Sequence, residues 1–403
     1  MKTLHWLLLA GFLLRLILSV QIYSGDVNNH ISWGRDILRL GPAGVYQRDF
    51  TSRYGTMTPT YPPLPLAIFT LSQWLYDSTY AISNWANSRF SIFPSRFIWL
   101  LEDQDVLPAF HKIWAILADI GIAYLVYKFT NKPWLTTLVL FNPAFFYNSA
   151  YWGQIEAIPI FFLLASFYFL TRTRRSYLSA LCFVLALLSK QSSIIFIPVF
   201  ALAFWKKFGL RTSVTGAFIG LVFFSISFLP FLTNPFVTYW QKIQTGSGSD
   251  FITDHAFNLW AVLTGLGKVS DSAPYWLGIS YNHWGFILFG SALAFILIKF
   301  RPSRLFAASA LVNFGCFLVV ARRHERDILP SLAFLLLWAG TKRSLLAVFI
   351  FLSGFYWLNL YHNWWAPRIP FLVTWLGSPD TITLLIVFAF ASFTWLILRY
   401  DQA

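Results

Sequence analysis

Tyr61-Pro62-Pro63-Leu64-Pro65-Leu66-Ala67-Ile68-Phe69-Thr70-Leu71-Ser72-Gln73-Trp74-Leu75-Tyr76 is the stretch on which the threading of this chain turns. It is apolar enough to look like a membrane span, yet it covers only 16 residues, opens with three prolines and carries Trp and Tyr near its end. A crossing needs roughly 20 predominantly apolar residues, and aromatic rings favour the headgroup zone. The stretch therefore reads as an interfacial or re-entrant helix. The alternative is a true span paired with a second, weaker one near residues 91–101. A lone crossing here would carry the next basic cluster, Lys128/Lys132, to the other side and invert the charge pattern downstream.

Working outward, the chain of 403 residues is 57% hydrophobic and 11% charged, against about 25% charged in ordinary soluble domains. Apolar runs of spanning length lie at 3–22, 109–129, 134–150, 155–171, 176–190, 191–205, 213–233, 277–298, 304–321, 327–341, 344–360 and 381–398. The expected fold is an all-α polytopic membrane protein with about 12 transmembrane helices, forming a single membrane domain over 1–403. Its large first outer loop, residues 23–108, carries interfacial helices; a second outer loop covers 234–274 and a third Tyr361 to Asp380. Gly246-Ser247-Gly248-Ser249 in the second reads as mobile. The first apolar run leads straight into the outer loop without a small-residue cleavage site, so it reads as a retained anchor.

Placing Lys2 in the cytoplasm also places there Lys128/Lys132, Arg172/Arg174/Arg175, Lys206/Lys207/Arg211, Lys299/Arg301/Arg304, Lys342/Arg343 and Arg399, with both termini. The acids test this independently. Of 16, Asp119 falls within a span and Asp401 in the cytoplasmic tail, and the other 14 fall on the outer side or its rim. Polar chemistry is concentrated on the non-cytoplasmic face. The net charge of +14 is spent in short clusters between spans, which excludes a nucleic-acid partner. Cys182 and Cys316 lie in apolar runs without ligand spacing and read as packing residues. No internal repeat of the kind common in secondary transporters is visible.

Asp26, just past the first span in Gly25-Asp26-Val27-Asn28-Asn29-His30, is the candidate general base; a carboxylate beside apolar surface has its pKa raised, which suits that role. The plain reading is an acid capping the amphipathic helix that follows and ends at Gly41-Pro42. In Trp152-Gly153-Gln154-Ile155-Glu156, Gln154 and Glu156 could bind sugar hydroxyls and Trp152 could stack on a sugar face. The plain reading, an aromatic belt, accounts for Trp152 but not for an acid entering a span. Lys190-Gln191 could hold a lipid phosphate, or Lys190 could snorkel. Arg322-Arg323-His324-Glu325-Arg326-Asp327 sets three arginines on the outer face. Two acids do not balance three guanidinium groups, which favours a phosphate ligand over a self-neutralising cluster. No run has metal-ligand spacing; Asp26 and Glu325 could share a divalent ion, though nothing demands it.

Taken in order, Gly25-Asp26 with Trp33 and Gly41…Tyr46, Tyr61-Pro62-Pro63-Leu64, Asn142-Pro143, Trp152-Gly153-Gln154-Ile155-Glu156, Ser189-Lys190-Gln191 with Pro198, and His324-Glu325-Arg326 with Pro330 resemble the GT-C superfamily of polytopic glycosyltransferases. The likeness is to bacterial mannosyltransferase-like proteins related to the second GPI mannosyltransferase, and runs from residue 25 to 330. It implies an acid of the first outer loop as general base, which maps onto Asp26. It also implies a polyprenyl-phosphate sugar donor and a lipid-linked or surface acceptor, at a bacterial plasma membrane. Glu156 stands where the pattern more often has Asp, and Asp327 where an aromatic often follows, which leaves sugar and acceptor open. The rival classes are a flippase of lipid-linked sugars and a non-catalytic envelope-complex subunit.

Overall fold

A computed structural model describes residues 2–245 and 250–401. Gly246-Ser247-Gly248-Ser249, expected to be mobile, lies outside the described residues. The first helices are α1 (Lys2–Ser19), α2 (Gly25–Leu40), α3 (Phe50–Tyr54), α4 (Pro63–Phe90), α5 (Ser95–Glu102) and α6 (Leu107–Thr130). Then come α7 (Pro133–Leu140), α8 (Pro143–Phe146), a wide π turn over Tyr147–Trp152, α9 (Ala157–Tyr168), α10 (Ser176–Ser189), α11 (Ile197–Ile226), α12 (Pro235–Thr245) and α13 (Leu259–Thr264). The chain closes with α14 (Tyr281–Ile298), α15 (Leu305–Val319), α16 (Leu329–Ala339), α17 (Leu346–Trp364), α18 (Pro370–Leu376) and α19 (Pro379–Tyr400). Among the described residues strand pairing is confined to isolated bridges.

Among the described residues six segments are long and apolar enough to cross a membrane: Leu107–Thr130, Gln191–Phe231, Tyr281–Ile298, Pro302–Val319, Arg343–Trp364 and Pro379–Tyr400. Thr3–Ser19, Ala157–Thr173 and Ser176–Ser189 are shorter apolar helices. The 41-residue segment is bent where Gly209, at φ +79°, leaves the helical region between the two apolar runs expected there. The run expected at 134–150 is interrupted. Asn142 starts α8, its Oδ1 accepting Ala144 N–H at 3.0 Å while its Nδ2 donates to Ser353 Oγ at 2.9 Å. Such side chains replace the ladder bonds that a break within apolar surroundings would leave open.

The Pro-Pro stretch corrects an expectation. It forms one helix of 28 residues, α4, and does not stop near Tyr76. Pro63 stands in the first turn, where a missing N–H costs nothing. Leu66, Phe69 and Tyr76 are buried, whereas Leu71, Trp74, Ile82 and Trp85 are exposed. Helix α2 crosses it at Gly34, where any Cβ would run into the Phe69 carbonyl. His30 stacks on Phe69 with ring centroids 4.2 Å apart, and Trp33 meets Tyr61 edge-on. Helices α2 and α4 are thereby fixed to each other.

Two ends of the bundle differ in chemistry. At one, Lys132 Nζ donates to Gly340 O (2.6 Å), Arg172 to Phe129 O, Lys206 to Phe300 O (3.1 Å), and Lys299 and Arg304 each meet Asp401 at 3.3 Å. At the other end of α6 lie the segments around residues 24–26, 150–156, 190 and 322–327. Between them, Arg15 and Asp119 form a fully buried pair at 2.9 Å. Arg15 also donates to Leu140 O (2.7 Å) and Val139 O (3.2 Å), so one guanidinium ties α1 to both α6 and α7.

Candidate functional site

Ser24, not Asp26, caps α2: its Oγ accepts Asp26 N–H at 3.3 Å. The Asp26 carboxylate is thus released from capping and points across the bundle. Its Oδ2 accepts from Trp152 Nε1 at 3.3 Å and from Gln154 Nε2. The backbones are joined as well, Ser24 N–H donating to Trp152 O at 3.0 Å. Behind them Lys112 is buried without an acid partner, and its ammonium donates to Ser19 O (3.0 Å), Ile22 O (2.5 Å), Ala150 O (3.0 Å) and Tyr151 O (3.1 Å). One cation therefore clamps the end of α1 to the π turn, the two segments that deliver Asp26 and its donors. Gly153, at φ +97°, lets the turn close; a Cβ there would meet Val27 and Lys112.

Asp26 differs from expectation in one respect. Burial acts to raise its pKa, but the charge of Arg326, then His30 and the hydrogen bonds from Trp152 and Gln154, take it below the usual carboxylate value. It is ionised at neutral pH rather than poised near it. Burial holds His30 down to about 4, so that ring is neutral beside it.

Next to Asp26 runs a ladder of ion pairs. Lys190 Nζ meets Glu156 Oε1 at 2.6 Å and Asp327 Oδ1 at 3.3 Å. Arg326 reaches Glu325 at 2.9 Å and Glu156 at 3.3 Å, and Arg323 meets Asp327 at 3.8 Å. Burial works against the charge on Lys190, and Glu156 with Asp327 keep its pKa above the ordinary lysine range. Burial and then the Arg326 charge push His324 down to about 3. Tyr61, buried against the same charges, is pushed up to about 12, burial being the main cause. Gln154 Oε1, Glu156 Oε2, Glu325 Oε2 and His324 Nε2 are buried and make no hydrogen bond among the described residues. Buried polar atoms are ordinarily partnered, so these four are groups a polar ligand or water could meet.

Two expectations need correction. Arg322 is not an unpaired cation: Asp271 binds it at 2.7 and 2.9 Å, with Asp250 at 3.4 Å. The count of three guanidinium groups against two acids fails with it, because Asp271, Asp250 and Glu156, all distant in sequence, complete the balance. Trp152 is 3% exposed with its ring against Trp364, centroids 5.5 Å apart, so it holds Asp26 and offers no free face to a sugar. Glu325 is engaged by Arg326, and no cluster of three or more His, Cys, Asp or Glu able to hold a metal occurs among the described residues.

What survives of the anion argument is a cavity. Lys190, Gln191, Arg322, Arg323, His324 and Asp327 line a space of about 350 Å³ with Trp240 and Phe286, giving three cations to one acid on its wall. Gln191 is held there by Thr60 O and Lys242 O, at 3.4 and 3.2 Å. Ile194 is shared with an apolar groove of about 860 Å³ between α10 and the two halves of α11, walled by Phe183, Leu187, Trp205 and Phe224. Cationic pocket and apolar groove thus lie on either side of one residue. Sequence reading missed Lys112, Asp271, Trp364 and the role of Tyr61. Only Lys112 carried a signal, as a lone cation inside an apolar run.

No protein-family model matches this sequence. No curated protein matches it either. Among solved structures the chain is similar to the crystal structure of ArnT from Cupriavidus metallidurans bound to undecaprenyl phosphate, at 10% identity and a TM-score of 0.47, over 99% of this chain and 76% of that one. Function therefore rests on the geometry of the site itself.

Proposed function

We propose that this chain is an inverting GT-C-type glycosyltransferase at the outer face of a bacterial plasma membrane. It moves a mannose-like hexose from a polyprenyl-phosphate sugar to a lipid-linked or surface acceptor. The observation that carries the reading is the convergence of three things at one end of the bundle. A partly exposed, ionised Asp26 is fixed by Trp152 and Gln154. Arg326, Glu156 and Lys190 lie beside it, and the cation-lined pocket shares Ile194 with an apolar groove. An isoprenoid chain suits the groove and a phosphate suits the pocket.

In the proposed step the acceptor oxygen bonds to C1 of the sugar as the C1–O bond to phosphate breaks. The electron pair leaves with polyprenyl phosphate, and the acceptor proton passes to Asp26. A carboxylate whose pKa is lowered is a weaker base, so proton transfer falls late, once C–O bond formation has made the hydroxyl acidic. Lys190, Arg323 and Arg326 oppose the charge growing on the leaving phosphate, ordinarily the largest catalytic contribution. Gln154 and Trp152 position Asp26, and Glu156, His324 and Glu325 offer their unmet groups to sugar hydroxyls. We also propose twelve crossings with both termini cytoplasmic and 23–108 outside, the basic clusters named above sharing the cytoplasmic end.

The test uses the full chain in lipid nanodiscs with labelled polyprenyl-phosphate hexose. Wild type should release polyprenyl phosphate, and Asp26→Asn should lower release by roughly 100-fold or more with donor binding intact. Undiminished turnover in Asp26→Asn removes Asp26 from its role. Translocation of the donor without cleavage by the wild type replaces the enzyme reading with a flippase.

A further inference from the structure

Between the second outer loop and α14 the chain makes a small hairpin whose tip plays no part in the site described above. Pro274 pairs with Ser280, Tyr275 N–H donates to Ile279 O at 2.9 Å, and Ile279 N–H donates to Trp276 O at 3.2 Å. The two residues at the tip, Leu277 and Gly278, have φ of +57° and +73°. This is the backbone of a type I′ turn, which selects Asn-Gly, Asp-Gly or Gly-Gly because both positions are left-handed. Leucine is a poor occupant of that conformation. Here it is 73% exposed, beside Trp276 at 61%. A position that ordinarily takes a small polar residue is given to a large apolar one, which the described residues leave uncovered. Such backbone outliers cluster at functional positions.

The surroundings say what covers it. Trp284 Nε1 donates to Trp276 O at 3.0 Å, and the two rings lie 5.1 Å apart. The tip is therefore level with the first turn of α14 and lies along its flank, not beyond its end. Helix α14 is apolar enough to cross a membrane, and Phe286, Ile287 and Leu288 are exposed on it. Over 272–298 there is no Lys, Arg, Asp or Glu. Tyr275, Trp276 and Trp284 are the ring types enriched at headgroup level. The base of the hairpin is firmly held: Tyr275 stacks on Tyr281 with centroids 4.5 Å apart, and Tyr281 meets the buried Trp260 edge-on. Trp260 Nε1 in turn donates to Val319 O at 2.8 Å, at the end of α15. Irregular backbone facing lipid is costly unless its polar groups are met, and the cross-hairpin bonds meet them.

We propose that the tip at 275–278 is inserted among phospholipids, at the boundary between headgroups and acyl chains, in the leaflet that the proposed topology makes the outer one. The anchor is joined to the cation-lined pocket through its base. Asp271 binds Arg322, Asn282 N–H donates to Asp271 O at 3.0 Å, and Asn282 lines the pocket. Lipid contact at the tip thus fixes that wall of the pocket at headgroup depth. The anchor is independent of the glycosyltransferase reading, since a flippase with the same pocket would carry it too.

The test reads depth and needs no turnover. The full chain, in a Cys182→Ala/Cys316→Ala background, carries a nitroxide at Pro274→Cys, a position that gives the hairpin no N–H. It is placed in nanodiscs of phosphatidylcholine and phosphatidylglycerol. Electron paramagnetic resonance then compares collisions with oxygen, which concentrates in the bilayer, and with a nickel chelate, which stays in water. Oxygen should dominate at 274, and the chelate should dominate at a label on Lys268→Cys in the same loop. Trp276→Ser/Leu277→Asn should reverse the order at 274. Leu277→Asn alone, which keeps the Trp276 packing, should shift it the same way with the thermal midpoint held or raised, because asparagine suits the left-handed position. The chelate dominating at 274 with the tip intact, or oxygen still dominating in both tip variants, overturns the proposal. So does spin–spin broadening at 274 that vanishes on dilution with unlabelled chain, which would put a second copy on the tip.

Discussion

Asp26 takes its hydrogen bonds from side chains 126 and 128 positions away, and its charge partner Arg326 lies farther still. Sequence marks the acid; it cannot mark what sets its proton affinity. Local apolarity suggested a raised pKa, and neighbours brought by folding lower it. The pH profile follows from that sign. If Asp26 is the base proposed above, activity needs its ionised form and should persist from neutral pH down to the ordinary carboxylate value of 3.8, failing only below it. His30 at about 4 and His324 at about 3 are both neutral near pH 6 to 7, so no limb should occur near 6.5. A kcat/KM profile with a break at 6 to 7 would contradict this. Gly153 belongs to the same scale. Gly153→Ala forces a left-handed backbone at φ +97° and drives a Cβ toward Val27 and Lys112. It should cost about 1–3 kcal/mol, read as a lower thermal midpoint, and should loosen the Trp152 and Gln154 grip on Asp26.

Among elements, the helices were largely readable and their interruptions were not. Apolar runs located the long helices because lipid-facing segments must be apolar throughout. The halt at Asn142, the π turn at Tyr147–Trp152 and the continuation of α4 to Phe90 depend on partners elsewhere: Ser353, Lys112 and the docked face of α2. The α1–α6–α7 joint gives a sharp test. Arg15→Leu leaves Asp119 buried and uncompensated and should cost about 3–5 kcal/mol. Arg15→Leu with Asp119→Leu should recover much of that loss, since replacing a buried pair by apolar side chains is often neutral. Thermal unfolding in detergent measures both; a double variant no better than the single would mean that the Arg15 bonds to Val139 and Leu140 dominate.

At the scale of the whole molecule, the chain sorts its charges between two ends of one bundle. If the proposed topology holds, Gln104→Cys should react with a membrane-impermeant thiol reagent in intact cells, and Ser344→Cys only after the membrane is opened. Both are made in a Cys182→Ala/Cys316→Ala background. The reverse pattern would put the site in the cytoplasm. Composition and the spacing of apolar and basic runs decided that this chain is helical and apolar enough for a bilayer, because those demands are met residue by residue. Which polar groups meet was decided by tertiary structure alone. Asp271 claims Arg322, Glu156 claims Lys190, and Trp364 covers Trp152. Charges inside a low-dielectric bundle are settled by distance, and distance is what a linear sequence leaves out.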